Sequence, residues 1–252
     1  MREFELIGQV FRQADYARAG GSVVQSIGDD CAILNVAAGQ QLVVSTDSLL
    51  EGVHFPLDAP PRLLGQRVLA VSVSDLAAMG ATPLGFTLAL SMPSASAQWL
   101  HELSMGLREV ALACGLRLIG GDTTRGPLNL GITVMGTVAT GQALLRSGAR
   151  VGDQLWVSDE LGGAAAALPL LAGEVQADSV IADRLLASYW TPAPRLALGQ
   201  WLLGKAGAAL DGSDGLLADA GHIAAESAVQ LVIEQNLVPV SASARQFDAG
   251  RA

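Results

Sequence analysis

Cysteine is scarce, with Cys31 and Cys114 the only two in 252 residues. They stand far apart with no CxxC or Cys/His spacing, which argues against a disulfide framework or a structural zinc site and fits a reducing compartment. Lysine is scarcer still, since Lys205 is the single one, and Schiff-base or phosphate-binding lysine chemistry has almost no candidates. Lys plus Arg total 15 against 24 Asp plus Glu, a net charge of −9, so no basic surface is available to grip a nucleic-acid backbone. The start, MREFELIG, lacks the basic region and continuous apolar run of an export signal, and a cytoplasmic location is expected. One stretch is almost free of charge: from Val68 to Gln98 only Asp75 is ionisable. Gly80-Ala81-Thr82-Pro83 breaks it and Asp75 would be costly in hydrocarbon, so it reads as a buried helix followed by a buried strand, not as a membrane span. What is abundant is apolar residue, half of the chain against 15 % charged, enough for a large core.

Helical spacing runs through Phe4–Gln13, Pro61–Met79, Ala97–Ala113, Ala164–Leu171, Ile181–Tyr189, Pro194–Leu203 and Leu216–Ser227. Apolar and β-branched runs predict strands at Gln41–Thr46, Leu84–Ser91, Arg117–Ile119, Leu128–Val138, Gln154–Ser158 and Val229–Glu234. The result is an α+β chain without regular βαβ alternation. Small and polar residues from Arg146 to Asp153 mark a boundary, dividing the chain into 1–147 and 148–252. The closing VSASARQFDAGRA shows no apolar periodicity and reads as a frayed tail.

Aspartates fall where apolar elements meet Gly- or Ser-containing turns: Ile27-Gly28-Asp29-Asp30, Ser45-Thr46-Asp47, Ser74-Asp75-Leu76, Gly120-Gly121-Asp122 and Asp211-Gly212-Ser213-Asp214. Taken singly, each is an ordinary cap or turn residue. Asp75 is harder to explain that way, because on a helix it shares a face with Val71, Ser72, Ala78 and Met79. Burying its charge uncompensated would cost several kcal/mol, roughly, so a cation or a dense hydrogen-bond set is expected beside it. A hard divalent ion fits, since Mg²⁺ takes carboxylate, hydroxyl and water oxygens. Carboxylates from distant segments, with Ser45, Thr46 and Ser213 beside them, suggest a site for several Mg²⁺ ions that holds phosphates for in-line transfer. Arg125 and Arg146 are the arginines nearest these segments, and Gly120-Gly121 lets backbone amides approach a phosphate.

Rival chemistry is weaker. Gly199–Ala206 nearly spells a P-loop, but Ala206 replaces the required Ser/Thr and the segment sits in a helical pattern. No nucleophilic triad is evident, because no histidine is placed beside Ser45, Ser74 or Ser213 and GxSxG is absent. His101 reads as a surface residue and His222 as structural, whereas His54, just beyond the aspartate-bearing strand, is either a surface residue or a contact to substrate phosphate.

Six segments in order, IGDDCA from Ile27, STDSL from Ser45 through GVHF at Gly52, SDLAAMGA from Ser74, IGGDTT from Ile119, RSGA from Arg146 and DGSDGL from Asp211, together resemble the thiamine-monophosphate kinase family. Single segments also occur in aminoimidazole ribonucleotide synthetases, selenophosphate synthetases and a hydrogenase-maturation protein of the same superfamily; the combination favours the thiamine enzymes. The resemblance implies ATP-dependent phosphorylation of thiamine phosphate to thiamine diphosphate by direct Mg²⁺-assisted transfer, with no protein nucleophile. It implies two domains, the first pairing with a second copy of the chain into a shared β-barrel. Asp30, Ser45, Thr46, Asp47, Asp75, Asp122, Asp211 and Asp214 would ligate metal, Gly121, Asp122, Arg146 and Ser213 would contact ATP, and His54 would touch thiamine phosphate. Two departures stand out: Leu161–Leu168 replaces a family GDSAAGL turn, and the family continues into a C-terminal Ser-Gly-Gly-Glu-Asp-Tyr-Glu segment and an aromatic substrate contact that this chain does not reach. An incomplete second domain is therefore expected. Two other readings stay open, a dimeric Mg²⁺-ATP-binding module without transfer activity and another ATP-using enzyme of the superfamily.

Overall fold

Proline and glycine punctuate the first long helix. In the computed structural model, which describes residues 8–94 and 96–250, the chain opens with a π-helical turn at Gly8–Arg12 and a 3₁₀ turn at Asp15–Ala17. The helix predicted over Phe4–Gln13 thus lies partly outside the described residues. Strands β1 (Val23–Gln25) and β2 (Ile33–Leu34) form a small antiparallel pair, followed by β3 (Gln40–Leu50). Helix α1 (Pro61–Ala78) starts with Pro61 in its first turn and stops at Gly80, whose φ of 68° only glycine adopts without strain. Then come β4 (Thr82–Met92), α2 (Ala97–Cys114), β5 (Arg117–Arg125) and β6 (Asn129–Ala139). Ser96 caps α2 by accepting the Trp99 N–H, and Gly115 closes it in the left-handed region.

The main sheet has the order β3-β6-β4-β5, antiparallel except for the β4–β5 pair, which α2 connects as a parallel crossover. Its inner face carries Leu49, Phe86, Leu88, Leu90, Leu118, Leu130, Ile132 and Val134, all buried beneath α1 and α2. Leu64, Val68, Leu69 and Leu76 of α1 meet Leu100, Leu103 and Leu107 of α2 in that layer. Each fully buried leucine stabilises by about 1.5–3 kcal/mol. The two helices cross almost backbone to backbone: a Cβ on Gly65 would lie 2.4 Å from the Leu103 carbonyl oxygen, and one on Gly106 would lie 2.0 Å from that of Arg62.

The outer face of the sheet has no covering layer among the described residues. Leu42 and Val44 on β3 are about half exposed, at 47 % and 53 %, and alternate with the inward Val43 and Ser45.

Beyond β6 the chain is helical: α3 (Gly163–Leu171), α4 (Ser179–Trp190), α5 (Leu196–Leu202), α6 (Leu216–Ser227) and α7 (Ala242–Ala249). Helices α4 and α5 clasp α1. Arg67 of α1 donates to the Tyr189 carbonyl and lies 3.8 Å over the Tyr189 ring, while Gly199 of α5 is so close to α1 that a Cβ would fall 1.9 Å from the Ala77 oxygen. Gly199 is therefore a packing glycine inside a helix, and Lys205 donates to the Trp201 carbonyl, which disposes of the P-loop resemblance of this segment.

Several predicted elements differ. β3 and β5 run on to Leu50 and Arg125, carrying Asp47 and Asp122 inside strands. Gln154–Ser158 and Val229–Glu234 are not strands, because no described residues offer them a ladder; Trp156 and Val232 are about 80 % exposed. The tail expected to fray instead forms α7, capped by Ser241 Oγ on the Ala244 N–H and anchored by buried Ala244 and Phe247 against α3 and α4. No helix among the described residues is long and apolar enough to cross a membrane.

Candidate active site

Strand alternation sorts the predicted ligands of β3 onto two faces. Ser45 and Asp47 point toward α1, whereas Thr46 is on the open face, its hydroxyl 2.9 Å from that of Thr133. Ser45 Oγ donates to Asp75 Oδ2 at 2.5 Å, joining residues 30 apart in the chain. Asp75 is half-buried. Burial pushes its carboxyl above the usual range, the Ser45 hydroxyl pulls it down, Asp47 pushes it up again and Arg146 lowers it.

Asp211 joins this group from the loop before α6. Its carboxyl is pushed up to about 6, first by burial and then by Asp75, Asp219 and Asp47, with Arg146 opposing. Asp219 was not singled out from sequence. It is buried in the first turn of α6, where its Oδ2 accepts the Gly215 N–H at 3.0 Å; an acid in a helical first turn was the available signal. Ser45, Asp47, Asp75, Asp211 and Arg146 are thus neighbours.

Other predicted residues stand apart from them. Asp122 is exposed on β5, in register with Ala89 and hence on the open face of the sheet, and Gly121 precedes it. Asp30 is exposed in the turn before β2, its N–H bonded to Asp29 Oδ1. Ser213 and Asp214 are exposed in the loop leading to α6. Among the described residues no three acidic or imidazole side chains already converge to hold one metal ion. The donor chemistry nonetheless suits Mg²⁺: hard oxygens, crowded carboxylates that raise one another's affinity for a proton, and no lysine among them. Two clefts, about 400 Å³ against α3 and α7 and about 330 Å³ against α2, are not lined by these aspartates.

His54 sits in the turn after β3 that Gly52 makes with φ of 76°. Its Nδ1 accepts the Leu50 N–H at 3.0 Å, which leaves the ring proton of the neutral imidazole on the exposed Nε2. Tyr189 of α4 donates its hydroxyl to the His54 carbonyl at 2.8 Å, so the strut from Arg67 through Tyr189 fixes this turn. Neither Arg67 nor Tyr189 was legible as a site neighbour, since 135 residues separate Tyr189 from His54.

Residues 28–138 match the family model "AIR synthase related protein, N-terminal domain". The thiamine-monophosphate kinase of Escherichia coli K12 is 43 % identical over 240 residues, which cover 95 % of this chain and 73 % of that one. The chain belongs to the thiamine-monophosphate kinase family. The crystal structure of the family member from Stenotrophomonas maltophilia K279a superposes with a TM-score of 0.86 at 43 % identity, covering 98 % of this chain and 78 % of that one. AaThiL, solved in complex with AMPPCP and TMP, superposes with a TM-score of 0.81 at 27 % identity over 99 % of this chain and 80 % of that one. A hydrogenase maturation protein in complex with ATP shares the fold at 18 % identity, with a TM-score of 0.79.

The pH dependence of the metal-free protein follows from Asp211. Its folded carboxyl titrates near 6, above the ordinary 3.8, so folding favours the protonated form. The stability this lends is fully present below about pH 4 and is lost as pH rises through 6. Asp211→Asn is expected to match the wild type in melting temperature at pH 4 and to exceed it at pH 7 without divalent metal. A constant difference at both pH values would show that Asp211 is not crowded as described.

Proposed function

We propose that this protein transfers the γ-phosphoryl group of ATP to thiamine phosphate, giving thiamine diphosphate. The observation that carries the reading is the Ser45–Asp75 contact between β3 and α1, with Asp47, Asp211 and Arg146 around it, in a chain of the thiamine-monophosphate kinase family. AMPPCP is an ATP analogue, and the complex of a relative with AMPPCP and TMP supports the same pair of substrates here. Ser45, Asp47, Asp75 and Asp211 would hold Mg²⁺ between β3 and α1, and Asp30, Thr46, Asp122 and Asp214, which stand apart from them, would ligate further ions or reach them through water. Bound there, the ions neutralise the phosphates of donor and acceptor, which otherwise repel each other. Gly121, Asp122 and Ser213 would flank the nucleotide, and Arg146 brings a positive charge to it. The His54 Nε2–H is free to donate to thiamine phosphate. The terminal phosphate oxygen of the acceptor is itself the attacking group, so no side chain need become covalently bound.

The open face of the sheet supports a homodimer. Leu42 and Val44 form an apolar stripe on β3, beside Thr46 and, across the sheet, Asp122, so pairing this face with a second copy would cover apolar surface and bring the nucleotide residues to the interface. The reading also includes two domains, 1–147 and 148–252, a shared β-barrel, and action in the cytoplasm without nucleic-acid or membrane partners.

Isothermal titration with AMPPCP in Mg²⁺, followed by thiamine phosphate, tests it. Saturable binding of both, abolished by chelating Mg²⁺, is the expected result. No nucleotide binding would overturn the reading, and nucleotide binding without acceptor binding would favour an ATP-binding module that transfers nothing.

A further inference from the structure

We propose that Ser227 is a positioning residue for Arg146, closing with one hydroxyl the turn from which that arginine reaches the nucleotide phosphates. This rests on the reading of Arg146 as an ATP contact. Ser227 is the last residue of α6, and its Oγ accepts the N–H groups of Gly148 and Ala149 at 3.1 Å each while donating to the Arg146 carbonyl at 3.0 Å. One donor and two lone pairs are the whole capacity of a hydroxyl, and all three go to this turn. The partners are 78 to 81 residues away, so the local chain cannot supply this closure.

The rest of the turn is held by backbone. Leu144 N–H donates to the Met79 carbonyl at the end of α1, and Ala209 N–H donates to the Leu145 carbonyl. Gly148, at φ of 119°, passes so close to Gly207 that a Cβ would lie 2.5 Å from its oxygen. The Arg146 side chain is exposed and makes no ion pair among the described residues, although it lies near enough to Asp75 and Asp211 to lower both carboxyls. An arginine whose guanidinium is uncommitted is aimed by its backbone alone, and Ser227 is the side chain that bonds that backbone. Helix α6 therefore ties two parts of the site together, with Asp219 beside Asp211 at its start and Ser227 under Arg146 at its end.

The test is calorimetric titration of the full chain with AMPPCP in Mg²⁺ and with thiamine phosphate, for Ser227→Ala, Ser227→Thr, Arg146→Ala and the Ala/Ala double variant. Ser227→Ala is expected to weaken AMPPCP about tenfold and to leave thiamine phosphate within about twofold, the loss of hydrogen bonds that orient a charged group. Ser227→Thr, which keeps the hydroxyl, should restore most of the affinity, and the serine change should add nothing once Arg146 is gone. Equal weakening of both ligands, or losses that multiply in the double variant, would overturn the proposal. Should Ser227→Ala not fold, Ser227→Cys, with a weaker donor and acceptor, must give a partial loss for AMPPCP alone; no loss overturns the proposal. A silent Ser227→Ala beside a damaging Arg146→Ala removes only the positioning role. A silent Arg146→Ala removes the arginine reading and this proposal with it.

Discussion

Asp75→Asn is expected to lower thiamine-phosphate phosphorylation about a thousandfold, with the protein still folded. The side chain sits half-buried between α1 and β3, with the Ser45 hydroxyl on one oxygen and Asp47 close by. Removing its charge takes an anionic ligand from the place where Mg²⁺ would meet the phosphates, and losing several kcal/mol of transition-state stabilisation at 1.36 kcal/mol per factor of ten amounts to roughly that rate. Asn keeps the shape and can still accept the Ser45 hydroxyl. Because burial and Asp47 both disfavour the ionised carboxylate, the metal-free variant should melt at the same temperature as the wild type or higher. The checks are a coupled assay for ADP release and circular dichroism melting. Activity within tenfold of wild type would mean that Asp75 is not part of the phosphate-transfer site.

Gly106→Ala is expected to be strongly destabilising for a single added methyl. Its Cβ would stand 2.0 Å from the Arg62 oxygen and 2.9 Å from the Gln66 nitrogen, both backbone atoms, so no side chain can swing aside. The helices must separate, and with them the Leu64, Leu103 and Leu107 layer that is wholly buried between α1 and the sheet. Alanine gains about 1 kcal/mol of helix propensity over glycine, while overpacking of this kind costs about 3 kcal/mol or more, so the net loss is about 2 kcal/mol or more. For a chain of this size that is a fall in melting temperature of roughly 5 °C or more. Since α1 also carries Asp75, Mg²⁺-dependent AMPPCP binding should weaken in the same variant. A melting temperature at or above that of the wild type would show that α1 and α2 do not approach so closely.

Much of this molecule is written in short-range pattern. The periodicity from Pro61 and from Ala97, the break at Gly80 and the alternation through Leu128–Val138 locate α1, α2 and β6 because each depends on residues within about four positions of one another. The same holds for the expectation that Asp75, on an apolar helix face, needs a partner. The ends of β3 and β5 were not legible in that way: the Asp47-Ser48 and Gly120-Gly121-Asp122 stretches are poor in strand formers, and they stay extended here because β6 and β4 supply ladder partners. For want of such partners Gln154–Ser158 and Val229–Glu234 are not strands, despite their β-branched composition.

The site shows the same division. Sequence alone determined that aspartates in these segments are the candidate ligands, that lysine plays almost no part, and that the six segments together belong to one family, whereas the structure carries Asp47, Asp75 and Asp122 inside elements and not at their junctions. Tertiary structure decided that Ser45 rather than Thr46 meets Asp75, that Asp219 crowds Asp211, that Tyr189 braces His54 and that Ser227 closes the turn of Arg146. Those contacts depend on strand register and on how closely helices cross, and a one-residue shift of β3 would exchange its two faces. Register and crossing are set by the packing of the whole core, so no local stretch of sequence carries them.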